Sequence, residues 1–267
     1  MVMRSICRRV AVFALAGLMV AAGPAPAQDK SPRLQWFGQS FFVLETARGT
    51  RVAIDPHAIE AFGRPVTRAD AICITHPHPD HTRVEAIENR ATAKTFEGVK
   101  AAAGPAGGPP GRAQWNPIDE TFRDVKIRTV GVYHDQSQGM LRGKNAVFVF
   151  EFDGLKVVHL GDLGHQLNED QLRQIGPVDV LLVPVGGIYT LNGDQAKRVV
   201  AAIQPRMYVL PMHFGTRLFD DVLPPDEFLE GQANVRKLPG TNELPLTRPE
   251  KPGEPAVVLL GWEKPAR

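Results

Sequence analysis

The chain has 267 residues, 43% hydrophobic, 22% charged and 7% aromatic, with 25 Gly, 23 Pro, 2 Cys and a formal net charge of +2. That apolar content excludes a disordered chain, and two cysteines exclude a disulfide scaffold. The near-neutral balance gives no case for nucleic acid or an anionic membrane as partner, so a globular α/β protein acting on a small molecule is expected.

At the N-terminus Arg4, Arg8 and Arg9 precede an apolar run over residues 10–22, followed by the small residues Ala25-Pro26-Ala27. This is the pattern of a secretory signal cleaved after Ala27, because the run is short of the ~20 residues that span a bilayer. Residues 1–27 are therefore separated from one domain over 28–267. That domain is expected in the periplasm or secreted, without stable membrane insertion. Cys73 is then the remaining cysteine and closes no internal disulfide.

In chain order, β-type runs fall at residues 41–44, 52–54, 71–75, 125–132, 146–152, 157–160, 178–185, 207–210 and 256–260. Helical patterns fit residues 83–88, 169–175, 195–203 and 226–229. Asp153-Gly154 between two strand runs predicts a type I′ hairpin. Residues 104–111 and 240–255, dense in Gly or Pro, read as surface loops. The pattern predicts two mixed β-sheets covered by helices. Cys73, between Ile72 and Ile74, reads as a small buried residue of its strand.

The densest chemical signal is Thr75-His76-Pro77-His78-Pro79-Asp80-His81-Thr82, directly after an apolar strand. Three imidazoles and a carboxylate in six positions suit a borderline divalent metal, and crowd unfavourably without one. Thr82 and Glu85 have capping-box spacing, which predicts that Thr82 starts the following helix. Further ligand types recur after apolar runs: His134, Asp162 and His213. Polar ligands at several strand ends imply one shared edge where distant loops converge.

These residues resemble the dinuclear site of the metallo-β-lactamase superfamily: His-x-His-x-Asp-His, a lone His, Gly-Asp and a late His, in the same order. The segments Val158-His159-Leu160-Gly161-Asp162 and Pro211-Met212-His213-Phe214-Gly215-Thr216 look like the branch with L-ascorbate-6-phosphate lactonase and N-acyl-phosphatidylethanolamine phospholipase D relatives. The resemblance implies an αββα sandwich and a metal-dependent hydrolase with two Zn2+ per chain, Mn or Fe also being compatible. It implies that His76, His78 and His134 hold one ion, that Asp80, His81 and His213 hold the other, and that Asp162 bridges. By the same resemblance, metal-bridging hydroxide attacks an ester-type bond, most naturally a phosphodiester or lactone, and Asp80 relays a proton. The alternatives are β-lactam hydrolysis, which a bridging Asp162 disfavours, and a metal-binding or iron redox protein that does not hydrolyse. Relatives often carry His where this chain has Gln39.

Other polar residues have two readings each. Asp55 accepts a hydrogen bond from a ligand His or loop backbone, or only shapes its turn. His165 reaches the substrate or caps a surface helix. Arg142, Lys144 and Asn145 bind an anionic group near His134, or form a solvated loop. Tyr189, in Gly186-Gly187-Ile188-Tyr189-Thr190, approaches a ligand or belongs to an ordinary turn. His159, inside a strand pattern, reads as a satisfied core histidine.

Overall fold

The computed structural model describes residues 31–100, 113–248 and 255–262. The expected signal over residues 1–27 and the expected loop over 104–111 therefore lie outside the described residues.

The first part of the chain forms strands β1 (Arg33–Trp36), β2 (Phe42–Glu45), β3 (Arg51–Ile54), β4 (Ala71–Ile74) and β5 (Lys94–Glu97). A short pair, β6 (Val99–Lys100) and β7 (Gln114–Trp115), leads to β8 (Asp119–Phe122), β9 (Val125–Tyr133), β10 (Lys144–Phe152) and β11 (Leu155–His159). Then come α1 (Glu169–Ile175), β12 (Val180–Pro184), α2 (Gly193–Ile203), β13 (Tyr208–Met212), α3 (Asp226–Leu229), β14 (Val235–Leu238), β15 (Glu243–Pro245) and β16 (Ala256–Leu260).

These strands build two mixed sheets, one in the order β15-β1-β2-β3-β4-β5 and one in the order β14-β16-β13-β12-β11-β10-β9-β8. Alternation along the strands explains the stacking. Phe42, Leu44, Val52, Ile54, Ala71 and Cys73 of the first sheet join the large core with Phe148, Phe150, Val157 and Leu181 of the second. Their neighbours Val43, Ala53, Ile72 and Ile74 point the other way, into a smaller cluster closed by Ala86 and Ile87. Cys73 is fully buried, as its alternation predicts.

Asp153 (φ 48°) and Gly154 (φ 71°) both adopt the left-handed conformation that a type I′ turn requires. The helical layer is thinner than the sequence suggests. α1 packs on β9 and α2 on β12, each opened by a reciprocal cap, Asn168 with Gln171 and Asn192 with Gln195. The helix expected over 83–88 is instead a single 3₁₀ turn, Val84–Ala86. Thr82 does not cap it: its hydroxyl donates back to the His78 carbonyl (3.1 Å), while the Arg83 N–H is held by Pro56 O (2.8 Å). The Pro-rich stretch 240–255 is not all loop, since β15 pairs antiparallel with β1 and extends the first sheet. Among the described residues no helix is long and apolar enough to cross a membrane.

Strand directions decide where function can sit. β9 and β10 are antiparallel, as are β10 and β11, so β9 runs with β11, and the latter is parallel to β12 and then β13. The segments that follow β9, β11, β12 and β13 therefore leave the second sheet at one edge. In the first sheet β1 runs with β3 and β4, so the β1–β2 turn and the segments after β3 and β4 share an edge as well.

Phe148 and Phe150 lie on successive same-face positions of β10, fully buried, with rings stacked at 5.8 Å. Phe148→Ala opens a cavity at the sheet interface and is expected to cost about 3–5 kcal/mol. A urea titration should show this as a lower midpoint at unchanged slope.

Candidate metal centre

The convergent edges gather all seven side chains of the predicted ligand set. Thr75 directly follows β4, and the chain then turns through His76, His78, Asp80 and His81. His134 directly follows β9, Asp162 lies three residues past β11, and His213 directly follows β13. Their donor atoms form two groups, His76 with His78 and His134, and Asp80 with His81, Asp162 and His213, each with its atoms within 4.8 Å of one another. Oδ2 of Asp162 joins the groups, 3.2 Å from His134 Nε2 and 3.8 Å from His76 Nε2 on one side, 3.3 Å from His81 Nε2 and 3.1 Å from His213 Nε2 on the other.

These residues fit a pair of divalent cations. His81 Nε2 and Asp162 Oδ1 are buried with no hydrogen-bond partner, which is costly unless something else occupies the space between them. His76 Nε2 and His78 Nδ1 face each other at 3.0 Å. Imidazole with carboxylate is also the donor set that borderline divalent metals prefer.

Ionisation follows from crowding and burial. Burial, with the neighbouring His81, holds His76 well below the ordinary histidine range, and burial with His134 lowers His78. For His81 and His213 burial pulls downward most strongly of any one cause, but the neighbouring carboxylates together, Asp162 first and then Asp80, outweigh it and raise both. Burial would raise the Asp162 carboxyl, yet His213 and His81 keep it well below the carboxylate range, and His81 likewise keeps Asp80 low.

The surrounding residues orient the ligands. Asp55 is fully buried and does more than shape a turn. Oδ2 lies 2.9 Å from His81 Nδ1 and accepts the Thr75 hydroxyl (2.7 Å), while Oδ1 accepts the Thr75 N–H (2.7 Å). His165 has both ring nitrogens engaged within the fold. Its Nε2 accepts the N–H of Tyr133 (3.0 Å), one residue before His134, and its Nδ1 faces Gln166 O at 2.7 Å, so it fixes the end of β9. The α1 cap falls to Asn168. His159 is a satisfied core histidine, with Nε2 on Ser40 O and Nδ1 accepting from Gly161 N, both at 3.0 Å.

Arg142, Lys144 and Asn145, read as a candidate anionic subsite, each donate to a backbone carbonyl within the fold. Lys144 Nζ donates to Ala113 O (2.8 Å) above the Trp115 ring, and the buried Asn145 donates to Leu160 O (2.8 Å). Arg142 donates to Ile188 O (3.1 Å) and lies over the Tyr189 ring, so these two residues clasp neighbouring loops at the rim. The Gly186-Gly187 turn approaches a ligand backbone: a Cβ at Gly186 would collide with the His213 carbonyl, so only glycine fits.

Three further residues support the ligands, of which sequence reasoning noted only Gln39, as a departure from the resembled family's histidine. Asp135 is the hub of the loop after His134, accepting the N–H groups of Ser137, Gly139, Leu141 and Arg142 at 2.7–3.1 Å. Gln39, at the β1–β2 turn, donates from Nε2 to Asp80 Oδ2 (3.1 Å), and its carbonyl accepts the His213 N–H (3.2 Å). His57 is fully buried behind that turn, with Nε2 on Gly38 O and Nδ1 accepting from Ile59 N, both at 3.1 Å. The Asp beside a ligand histidine was a usable signal for Asp135; the others depend on contacts between distant segments.

Comparison with known proteins agrees with this geometry. The family described as Beta-lactamase superfamily domain matches residues 33–213. The chain is similar to the UPF0173 metal-dependent hydrolase of Thermococcus onnurineus, at 32% identity over 69% of this chain and 85% of that one. It is also similar to the one of Anaeromyxobacter dehalogenans, at 30% identity over 82% and 88%. Among solved structures it resembles a candidate Zn-dependent hydrolase of the metallo-β-lactamase superfamily from Thermotoga maritima. There the TM-score is 0.63 and the identity 34%, over 86% of this chain and 98% of that one.

His57 gives the centre a pH signature of its own. Burial holds it at about 4 in the folded protein, against 6.5 for a free imidazole. Between those values the unfolded chain takes up a proton that the folded chain refuses, so stability falls as pH drops from about 6.5 towards 4 and is constant above. The stability difference between wild type and His57→Gln should change by about 2 kcal/mol between pH 7.5 and pH 5 in urea titrations. An unchanged difference would contradict a neutral buried imidazole.

Proposed function

The chain belongs to the UPF0173 metal-dependent hydrolases of the metallo-β-lactamase superfamily, and from that premise we propose a dinuclear zinc hydrolase that cleaves an ester-type bond, phosphodiesters and lactones first. The observation that carries this reading is Asp162 Oδ2, set between the His76/His78/His134 group and the Asp80/His81/His213 group. Segments 158–162 and 211–216 favour the lactonase and phospholipase-like branch, and the leader over residues 1–27 favours export to the periplasm.

In this reading His76, His78 and His134 hold one cation, Asp80, His81 and His213 the other, and Asp162 both. Bound divalent cations supply Lewis acidity and lower the pKa of water from about 15.7 towards about 7. The chain does the positioning. Asp55 and His165 fix His81 and the start of the His134 loop, and Gln39 holds Asp80 with its Nε2. The Asp80 side chain is 36% exposed, whereas those of His76, His81 and His213 are buried, so Asp80 is the carboxylate that meets an arriving substrate and can take or return a proton there.

Asp162→Asn should lose at least one of two zinc ions by elemental analysis and nearly all hydrolysis, with the far-UV spectrum unchanged. On zinc-loaded protein, bis-p-nitrophenyl phosphate and γ-lactones should be turned over faster than a chromogenic cephalosporin. Full activity of Asp162→Asn, or preference for the cephalosporin, would overturn the assignment.

A further inference from the structure

The large apolar side chains exposed among the described residues are not scattered. Met140 (79% exposed) and Leu141 follow β9, Ile188 and Tyr189 follow β12, and Leu218 and Leu223 follow β13. Those strands run in one direction, so all six leave the sheet at the edge that carries His134 and His213. The one other such residue, Val66, lines a cavity of about 590 Å³ together with Leu218, Phe37, Phe62 and Trp262. That cavity adjoins the metal edge: Phe62 packs on Gly38, whose neighbour Gln39 bonds Asp80. Its size is that of an ordinary small-molecule site.

Exposed apolar surface confined to one region marks a place where something apolar binds, whereas single exposed residues spread over a surface need no explanation. Nor are these side chains needed to shape their loops. Polar contacts do that: the Asp135 carboxylate holds the Leu141 N–H, Arg142 bonds Ile188 O, and the Leu223 N–H bonds Gly186 O (2.8 Å). The side chains are left exposed at the edge that carries His134 and His213.

We propose that the substrate is an amphiphile, an ester whose hydrocarbon substituent of several carbons lies along the apolar residues of this edge while its scissile bond lies at Asp80 and Asp162. This rests on the hydrolase reading for turnover, but the binding it requires can be read without turnover. Arg142, clasped between Ile188 O and the Tyr189 ring, serves here to hold the apolar loops together.

The test uses the full chain loaded with zinc. Each buried methylene is worth at most about a four-fold gain, so kcat/KM for p-nitrophenyl esters should rise at least ten-fold from acetate to octanoate, mainly through KM. The double variant Ile188→Asp/Leu223→Asp changes exposed side chains, and its melting temperature reports that the fold is kept. In it the octanoate-to-acetate ratio should fall below three-fold. Should no ester turn over, the hydrolase reading fails separately, and calorimetric titration still decides this inference. Octylphosphonate binding at least ten-fold tighter than methylphosphonate supports it, and equal affinities overturn it. A flat chain-length profile overturns it too. So does sedimentation with phosphatidylcholine vesicles, or a dimer that Ile188→Asp/Leu223→Asp dissociates, since the edge would then serve a membrane or a second copy.

Discussion

A single carboxylate oxygen, Oδ2 of Asp162, has four buried imidazoles around it at 3.1–3.8 Å, drawn from three separate segments of the chain. Burying that many ionisable groups together is unfavourable unless their charges and lone pairs are compensated. His76 and His78 are driven towards the neutral form while His81 and His213 are drawn towards the charged one, and His81 Nε2 and Asp162 Oδ1 are still left buried without hydrogen-bond partners, an unmet demand. Cations held among the same nitrogens and oxygens would relieve it. The short strand ends, the glycines beside ligand backbones and the Asp55 and Asp135 carboxylates all hold this crowded arrangement in place.

Site formation and sheet packing are therefore one event. The first sheet supplies His76, His78, Asp80 and His81, and the second supplies His134, Asp162 and His213, so the centre lies on the seam between them. Backbone bonds stitch that seam at the same edge: Ala146 N–H to Thr75 O and His213 N–H to Gln39 O, both at 3.2 Å. A slip of one sheet against the other would separate the two halves of the ligand set. Core residues such as Phe148 and Phe150, which fix how the sheets stack, thereby bear on the geometry of a site they do not touch.

The ligand set was legible in the sequence because much of it is local: four of the seven side chains stand in one hexad, and the rest follow apolar strands recognisable by composition. The central strands were legible for the same reason. Edge strands such as β14 and β15 were not, because exposed Arg236 and Lys237 or flanking prolines hide the alternation that pairing imposes. The turn at Val84–Ala86 was misread as helix since Val84, Ala86 and Ile87 have helical spacing, whereas the hydroxyl of Thr82 and the N–H of Arg83 are claimed by His78 and Pro56, contacts that a linear pattern does not contain. The partners of Lys144 and Asn145 are equally hidden in a linear pattern, because Ala113 and Leu160, which hold them, are distant in the chain.

Gln39 shows what an amide does at such an edge. An ionised Asp80 only accepts hydrogen bonds, so the amide must turn Nε2 towards it, and this fixes which way the side chain points. Oε1 is then left buried and without a hydrogen-bond partner among the described residues, a situation worth about 1–3 kcal/mol of penalty. An imidazole could also donate one N–H to Asp80, but its second nitrogen could be protonated and so turn from acceptor to donor. The amide carbonyl can only accept. Because that oxygen is buried, the effect on the site is indirect: the amide is locked in one orientation, and through its Nε2 it holds the partly exposed Asp80 carboxylate in place at the rim.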